Sequence, residues 1–118
     1  MTTWAEDMLA GHNEVRASLG LPPLRWSEPL ASLASEHCAT MCGAGDLFHG
    51  SVPEDGGQNV AKGRRNLASN PTASLRLWLA DPQHAAWITD PEVELVGAAY
   101  AMTPEGDTYV TCNYHRKN

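Results

Sequence analysis

Leu95–Tyr114 reads LVGAAYAMTPEGDTYVTCNY. Its halves, Leu95–Met102 and Thr108–Tyr114, are apolar or rich in β-forming residues, and Thr103–Asp107 between them carries the turn-formers Pro104, Gly106 and Asp107. The stretch predicts a β-hairpin. The chain before it reads mainly as helix. Helices followed by a terminal hairpin make an α+β domain, with the helices covering a small antiparallel sheet.

Working outward from the hairpin, Thr3–Leu19 sets Trp4, Met8, His12 or Val15, and Leu19 at helical spacing. Thr3 caps this helix, Glu6 completes a capping box and Gly20 stops it. His12 and Asn13 lie on or beside the buried face and read as polar groups satisfied inside the packing. Leu21–Trp26 holds two prolines and is extended, a candidate edge strand. Ser27 caps a second helix that tolerates Pro29 in its first turn and buries Leu30, Leu33, Ala34, Cys38 and Met41, until Gly43–Gly45 stop it. A third helix runs from Thr72 to about Ala80, with Leu75, Trp78 and Leu79 on one side. Asp81-Pro82 breaks it, and Gln83–Ile88 makes one short helical turn. Leu47–Ala61 is expected as a loop, followed by a polar connector, Lys62–Asn70.

The candidate chemistry sits in two places. In LFHGSVPEDGGQNVA, Leu47–Ala61, the residues Pro53, Asp55, Gly56 and Gly57 turn the backbone and can hold Gln58 and Asn59 near His49. In WLADPQHAAW, Trp78–Trp87, a turn-prone Asp-Pro precedes His84. Each histidine follows a loop instead of sitting in an apolar stripe, so packing alone does not account for it. The plainer reading is a packed or hydrogen-bonded histidine. Imidazole titrates near neutral pH, so two in one cleft can act as general acid and base, with Gln58 and Asn59 orienting a substrate carbonyl or amide. The same pair, His49 and His84, are weak candidate ligands for a divalent metal such as zinc. Ser51 stands near His49, but a hydrolytic nucleophile needs an oriented base and no third group is evident. His37, Cys38 and Cys42 lack a second ligand pair downstream, so buried thiols behaving as small apolar groups are expected there.

Length and charge bound the rest. The 118 residues, 42% of them apolar, suit one domain spanning 1–118 with one core. No apolar run reaches roughly 18 residues, so no membrane span is expected. The net charge is −6, and Lys62, Arg64, Arg65 and the Arg116–Lys117 tail are too few for binding a phosphate backbone, which argues against nucleic acid as a partner. The opening MTTWAEDML has neither a basic n-region nor an apolar h-region. A cytoplasmic location is therefore expected, the alternative being a secreted protein whose signal peptide has been removed. Three cysteines leave at least one thiol without an intramolecular partner. Cys38 and Cys42 are four apart on a helix, where Cβ atoms stand roughly 5–6 Å from each other. A disulfide wants about 3.5–4.5 Å, so no bridge between them is expected.

Taken in order, Leu9-x-x-His12-Asn13-x-x-Arg16, Gly20-x-x-Pro23-Leu24-x-Trp26 and Leu30-x-x-Leu33-Ala34 resemble the opening of a CAP domain. This is the family of cysteine-rich secretory proteins, antigen 5 and plant pathogenesis-related 1 proteins. The likeness continues through His49, Gly57-Gln58-Asn59-x-Ala61, Trp78, His84, Gly97 and Cys112-Asn113-Tyr114, and the chain looks like a small bacterial-type member. The resemblance implies a three-layer α–β–α sandwich with a small antiparallel sheet and a cleft in which His49 and His84 face each other. It also implies a binding module for a small-molecule or lipid-like ligand, or weakly for a divalent metal. Two departures stand out. The acid of the family's Gly-Glu-Asn motif is Gln58 here, and a second acid has no counterpart at Leu79 or Ala80, the nearest carboxylate being Asp81. Two imidazoles without a carboxylate make an incomplete zinc site. The disulfide partners of the plant members look like Ala98 and about Thr103 here, so those bridges are absent, which favours a reducing compartment.

Overall fold

The Thr3 hydroxyl accepts the Glu6 N–H and the Glu6 carboxylate accepts the Thr3 N–H, so the capping box forms and starts helix α1, Trp4–Ser18. The structure is a computed structural model describing residues 2–116; Met1, Lys117 of the basic tail and Asn118 lie outside the described residues. Strand β1, Arg25–Trp26, is short. Ser27 then caps helix α2, Glu28–Ala44, with Pro29 in the first turn and Gly45 ending it at φ 69°. Strand β2 (Gly56–Gly63), helices α3 (Arg65–Ser69), α4 (Pro71–Leu79) and α5 (Pro82–Thr89), and strands β3 (Leu95–Met102) and β4 (Thr108–His115) complete the order.

The hairpin forms where the sequence places it. β3 and β4 pair antiparallel from Leu95 opposite His115 to Met102 opposite Thr108. Gly106 closes the turn at φ 93°, a conformation that suits a residue without Cβ. The strand order is β1-β3-β4-β2, with β1 parallel to β3 and the other two pairings antiparallel. β4 is therefore internal and buried on both faces. Val110, Cys112 and Tyr114 point to the side covered by α1, α4 and α5, where they join Met8, Trp78, Ile88 and Val96 in the main core. Tyr109 points the other way, into a smaller core with Cys38 and Met41 of α2. Layering is thus α–β–α around a mostly antiparallel sheet.

Several expectations need correction. The second half of the expected loop and the start of the polar connector form β2, an eight-residue strand paired along its whole length with β4. Its sequence, GGQNVAKG, has low β-propensity, and the exposed backbone of β4 overrides that preference by pairing with it. Part of the remaining connector winds into α3, which buries Leu67. The helical turn after Asp81 is a full eight-residue helix, α5, with Asp81 as its cap. Leu33 is 40% exposed, because the buried stripe of α2 runs through Leu30, Ala34, Cys38 and Met41 and leaves Leu33 on its flank. Leu79 is exposed at the end of α4 and Trp26 is only half-buried.

Gly97 shows how closely α2 sits on the sheet. A Cβ built there would lie 2.3 Å from the Ala31 nitrogen and 2.6 Å from the Ser27 carbonyl oxygen, both backbone atoms of the start of α2. Backbone cannot swing aside as a flexible side chain can. Gly97→Ala is therefore expected to destabilise the fold by about 2 kcal/mol in urea unfolding, the magnitude of an overpacked core.

Candidate functional site

β2 is the edge strand beside which the two histidine-bearing segments lie, Gln58 meeting the His49 ring and Asn59 the His84 backbone carbonyl. Side chains alternate across a strand, so Gln58 and Asn59 leave β2 on opposite faces of the sheet. Each ends a chain of hydrogen bonds whose direction is set at its far end.

On the α2 face the chain begins at the Leu30 carbonyl, which can only accept. It receives the Asn113 Nδ2 proton at 3.1 Å. Asn113 Oδ1 then accepts from Gln58 Nε2 at 2.9 Å, the two residues being direct partners in the β2–β4 register. This leaves Gln58 Oε1 facing the loop, where it accepts the Gly50 N–H at 2.9 Å and lies 3.0 Å from His49 Nδ1. An acceptor at that distance requires the proton on Nδ1. His49 Nε2 is thereby left with its lone pair free.

On the other face the chain begins at the Met8 carbonyl. His12 Nδ1 donates to it at 2.8 Å, so His12 Nε2 accepts from the Tyr114 hydroxyl at 2.9 Å. The Tyr114 oxygen in turn accepts from Asn59 Nδ2, which also donates to the His84 carbonyl at 3.0 Å. Both amide directions agree, and Asn59 Oδ1 remains buried with no partner among the described residues. Trp87 of α5 stacks on Tyr114 and lies over Gly57, where a Cβ would come within 2.1 Å of the indole. Gly57 is needed for that close approach. His12 and Asn13 are satisfied inside the packing as expected, Asn13 by both Leu24 backbone groups.

His84 is oriented by a neighbour. Asp81 caps α5 with Oδ1 on the Gln83 N–H, and its Oδ2 meets His84 Nδ1 at 2.5 Å. In the sequence Asp81 is the nearest carboxylate to the missing acid, and an N-cap Asp followed three residues later by His is the spacing that brings the two together on the first turn. In both candidate histidines, then, Nδ1 is engaged and no hydrogen bond among the described residues engages Nε2. His49 is exposed and His84 partly so.

The donor set tests the metal expectation. Among the described residues no group of three or more His, Cys, Asp or Glu side chains is placed to hold a metal ion. Gln58 offers a neutral oxygen that is already shared between two donors. A tetrahedral zinc site with several anionic or imidazole ligands does not fit these residues.

The cysteines are all free. Burial pushes the Cys38 thiol up to about 11 and the Cys112 thiol up to about 12, so both stay protonated at neutral pH. Cys38 donates to Thr111 and sits in the α2–sheet interface, behaving as a small apolar group.

Known proteins share this arrangement of chain. The family model described as cysteine-rich secretory protein family, CAP, matches residues 9–114. Pathogenesis-related leaf protein 6 of Solanum lycopersicum is 26% identical over 125 residues, spanning 92% of this chain and 75% of that protein. Among solved structures, an outer surface protein from Borrelia burgdorferi superposes with a TM-score of 0.80 at 17% identity, covering 98% of this chain and 97% of the other. NaASP2, solved with Zn2+, gives 0.77 at 14% identity over 100% of this chain and 82% of that one. At such identities the structures speak for the fold. The motif order, the α–β–α layering and a family match over nearly the whole chain agree, and this protein belongs to the CAP family of cysteine-rich secretory proteins.

Proposed function

We propose that the domain is a ligand-binding module whose site lies at the β2 edge, between His49 on one face and His84 on the other. The observation that carries this reading is that both rings are held by Nδ1, one by Gln58 and one by Asp81, with Nε2 left open. Gln58 and Asn59 are consecutive and touch the two histidine-bearing segments, so the edges of both segments lie beside the same short piece of strand. With Nδ1 carrying the proton, the Nε2 of a neutral ring is an acceptor. Two such acceptors suit a small molecule that offers hydroxyl or amine donors, and they bind a divalent metal only weakly, for want of further ligands.

Calorimetric zinc titration of wild type, His49→Ala and Gln58→Glu tests the site. Wild type should bind weakly, His49→Ala more weakly still, and Gln58→Glu more tightly, because the carboxylate adds charge and a hard oxygen donor. The gain has a structural penalty. A carboxylate at position 58 meets Asn113 Oδ1, acceptor against acceptor, and turning the Asn113 amide would strip the Leu30 carbonyl of its donor. Gln58→Glu is therefore also expected to unfold about 1–3 kcal/mol more easily at pH 7. Tight zinc binding by wild type, unchanged by Gln58→Glu, would refute this account.

The Asp81–His84 pair favours a second reading. A carboxylate orienting an imidazole is the arrangement of a general base, so the same site would act on a small-molecule substrate with His49 and His84 as acid and base, and Gln58 and Asn59 as orienting groups. Loss of turnover in both His49→Ala and His84→Ala, with zinc affinity unmoved, would decide for it.

As to location, the descriptions of the family and of the Borrelia relative support the extracellular alternative. Buried, protonated thiols are poorly reactive, so the free thiols of Cys38 and Cys112 do not require a reducing compartment.

A further inference from the structure

The opposite end of the sheet is left unfinished. β1 pairs with β3 only at Leu95 and Val96, because the chain turns away at Ser27 into α2. Six residues of β3, Gly97–Met102, have β4 on one side and, among the described residues, no strand on the other. The direction of their backbone groups can be read from both ends. Ser27 N–H donates outward to the Val96 carbonyl, and Thr103 N–H donates inward to the Asp107 carbonyl across the hairpin. Residues alternate along a strand, so Val96, Ala98, Tyr100 and Met102 turn their N–H and C=O groups to the open edge. Among the described residues nothing bonds these groups at Ala98, Tyr100 or Met102.

The edge also has a floor and walls. A cavity of about 300 Å³ adjoins it, lined by Ala5, Trp26, Ala31, Ser35, Ala98 and Ala99 among others. A second, of about 350 Å³, continues past Trp26 to Leu9, Glu6 and Glu28. β3 carries no charged residue and no proline, two of the devices that blunt an edge strand, and the start of α1 meets the edge through Trp4 against Tyr100. Glu6 and Glu28 line the groove, the Glu6 carboxylate accepting the Thr3 N–H and the Glu28 carboxylate the Trp26 indole N–H, and the chain as a whole is at −6.

We propose that this edge is a peptide-binding site that takes an extended segment as an added strand along Ala98–Met102, with a lysine or arginine of that segment against Glu28 and Glu6. Unpaired main-chain groups at every second residue are satisfied by another strand and by little else. The sign of the rim selects a basic peptide. It also disfavours a second copy of this acidic chain, whose own Glu6 and Glu28 would come close to the first pair across a shared edge. This site is separate from the β2 edge, at the far end of the strand order, and does not rest on the histidine reading.

The test uses the full chain labelled with ¹⁵N and two synthetic peptides, acetyl-(Lys-Val)3-amide and acetyl-(Glu-Val)3-amide. The lysine peptide should shift the amide resonances of Ala98, Tyr100 and Met102 and slow their hydrogen exchange. The glutamate peptide should bind at least roughly tenfold more weakly, as like charges meet at the rim. Tyr100→Pro removes one outward N–H and should abolish the effect. If that variant does not fold, Glu28→Lys, a change on the exposed first turn of α2, should reverse the preference between the two peptides. Shifts confined to other surfaces, or none at millimolar peptide, would overturn the proposal. So would protection of the same three amides that rises with protein concentration in the absence of peptide, which would mean that a second copy occupies the edge.

Discussion

Arg16→Met should lower the free energy of unfolding by about 3–5 kcal/mol, because it leaves several buried carbonyl acceptors without their donor. Arg16 is wholly buried although it carries a charge. Its guanidinium donates to four backbone carbonyls: Pro22 at 2.8 Å, Ile88 at 3.0 Å, Asp90 at 2.9 Å and Val93 at 3.2 Å. These belong to the segment before β1, the last turn of α5, and the turn that leads to β3. One side chain thus ties α1 to three pieces of chain that make no ladder with each other. Burial lowers the Arg16 pKa and the nearby Asp90 charge works against that shift. The carbonyls at the end of α5 add favourable dipoles. Methionine fills much of the volume but leaves four carbonyls without their donor. Arg16→Lys should keep little of the stability, since a single ammonium cannot reproduce the planar fork. Urea denaturation at pH 7 measures both, with exposed Arg76→Met as a control that should change stability by less than about 0.5 kcal/mol. A loss below about 1 kcal/mol for Arg16→Met would show that the carbonyls find other partners.

The second large effect is a dependence on pH. His12 is fully buried, and its pKa is lowered from 6.5 to about 4, first by burial and then by the positive charge of Arg16, with the Met8 carbonyl opposing. The folded state therefore takes up its proton later than the unfolded chain as the pH falls. Stability that is whole above pH 6.5 is lost as the pH drops towards 4, by about 3 kcal/mol when complete. Protonation also breaks a specific bond, because His12 Nε2 must accept from Tyr114. The release would propagate to Asn59 and the His84 carbonyl through the same chain. Carboxylates titrate in the same window, so the informative quantity is the difference between wild type and His12→Gln in urea unfolding from pH 7 to pH 4. Wild type should fall more steeply. Parallel profiles would remove His12 as the cause.

Local structure was largely legible in the sequence. The capping box at Thr3 and Glu6, the Ser27 cap with Pro29 behind it, the Gly45 stop and the turn of the terminal hairpin each depend on one to four neighbouring residues. Their physics is complete within the stretch that is read. His49 and His84 stand out in the sequence as residues outside any apolar stripe, and Gln58 as a neighbour the turn residues hold near His49, a contact the structure has. What lay out of reach was anything set by a partner distant in sequence. β2 has the composition of a loop and becomes a strand because β4 offers it a full ladder 50 or so residues away, an interaction that local propensity does not contain. Leu33 fits a helical apolar face but stands where no layer covers it. Gln58 could be recognised as a missing acid, yet the proton position on His49 follows from Asn113 and ultimately from the Leu30 carbonyl. Arg16 reads as a charged residue near the end of a helix, and only the folding of Pro22, Ile88, Asp90 and Val93 around it makes it a buried hub. Caps, stops, the terminal hairpin and the family pattern are written in the local sequence, whereas β2, α3 and the full length of α5 are not. The tertiary structure alone decided hydrogen-bond direction, burial and the unfinished edge of β3, because each of these depends on which backbone groups from remote parts of the chain arrive at the same place.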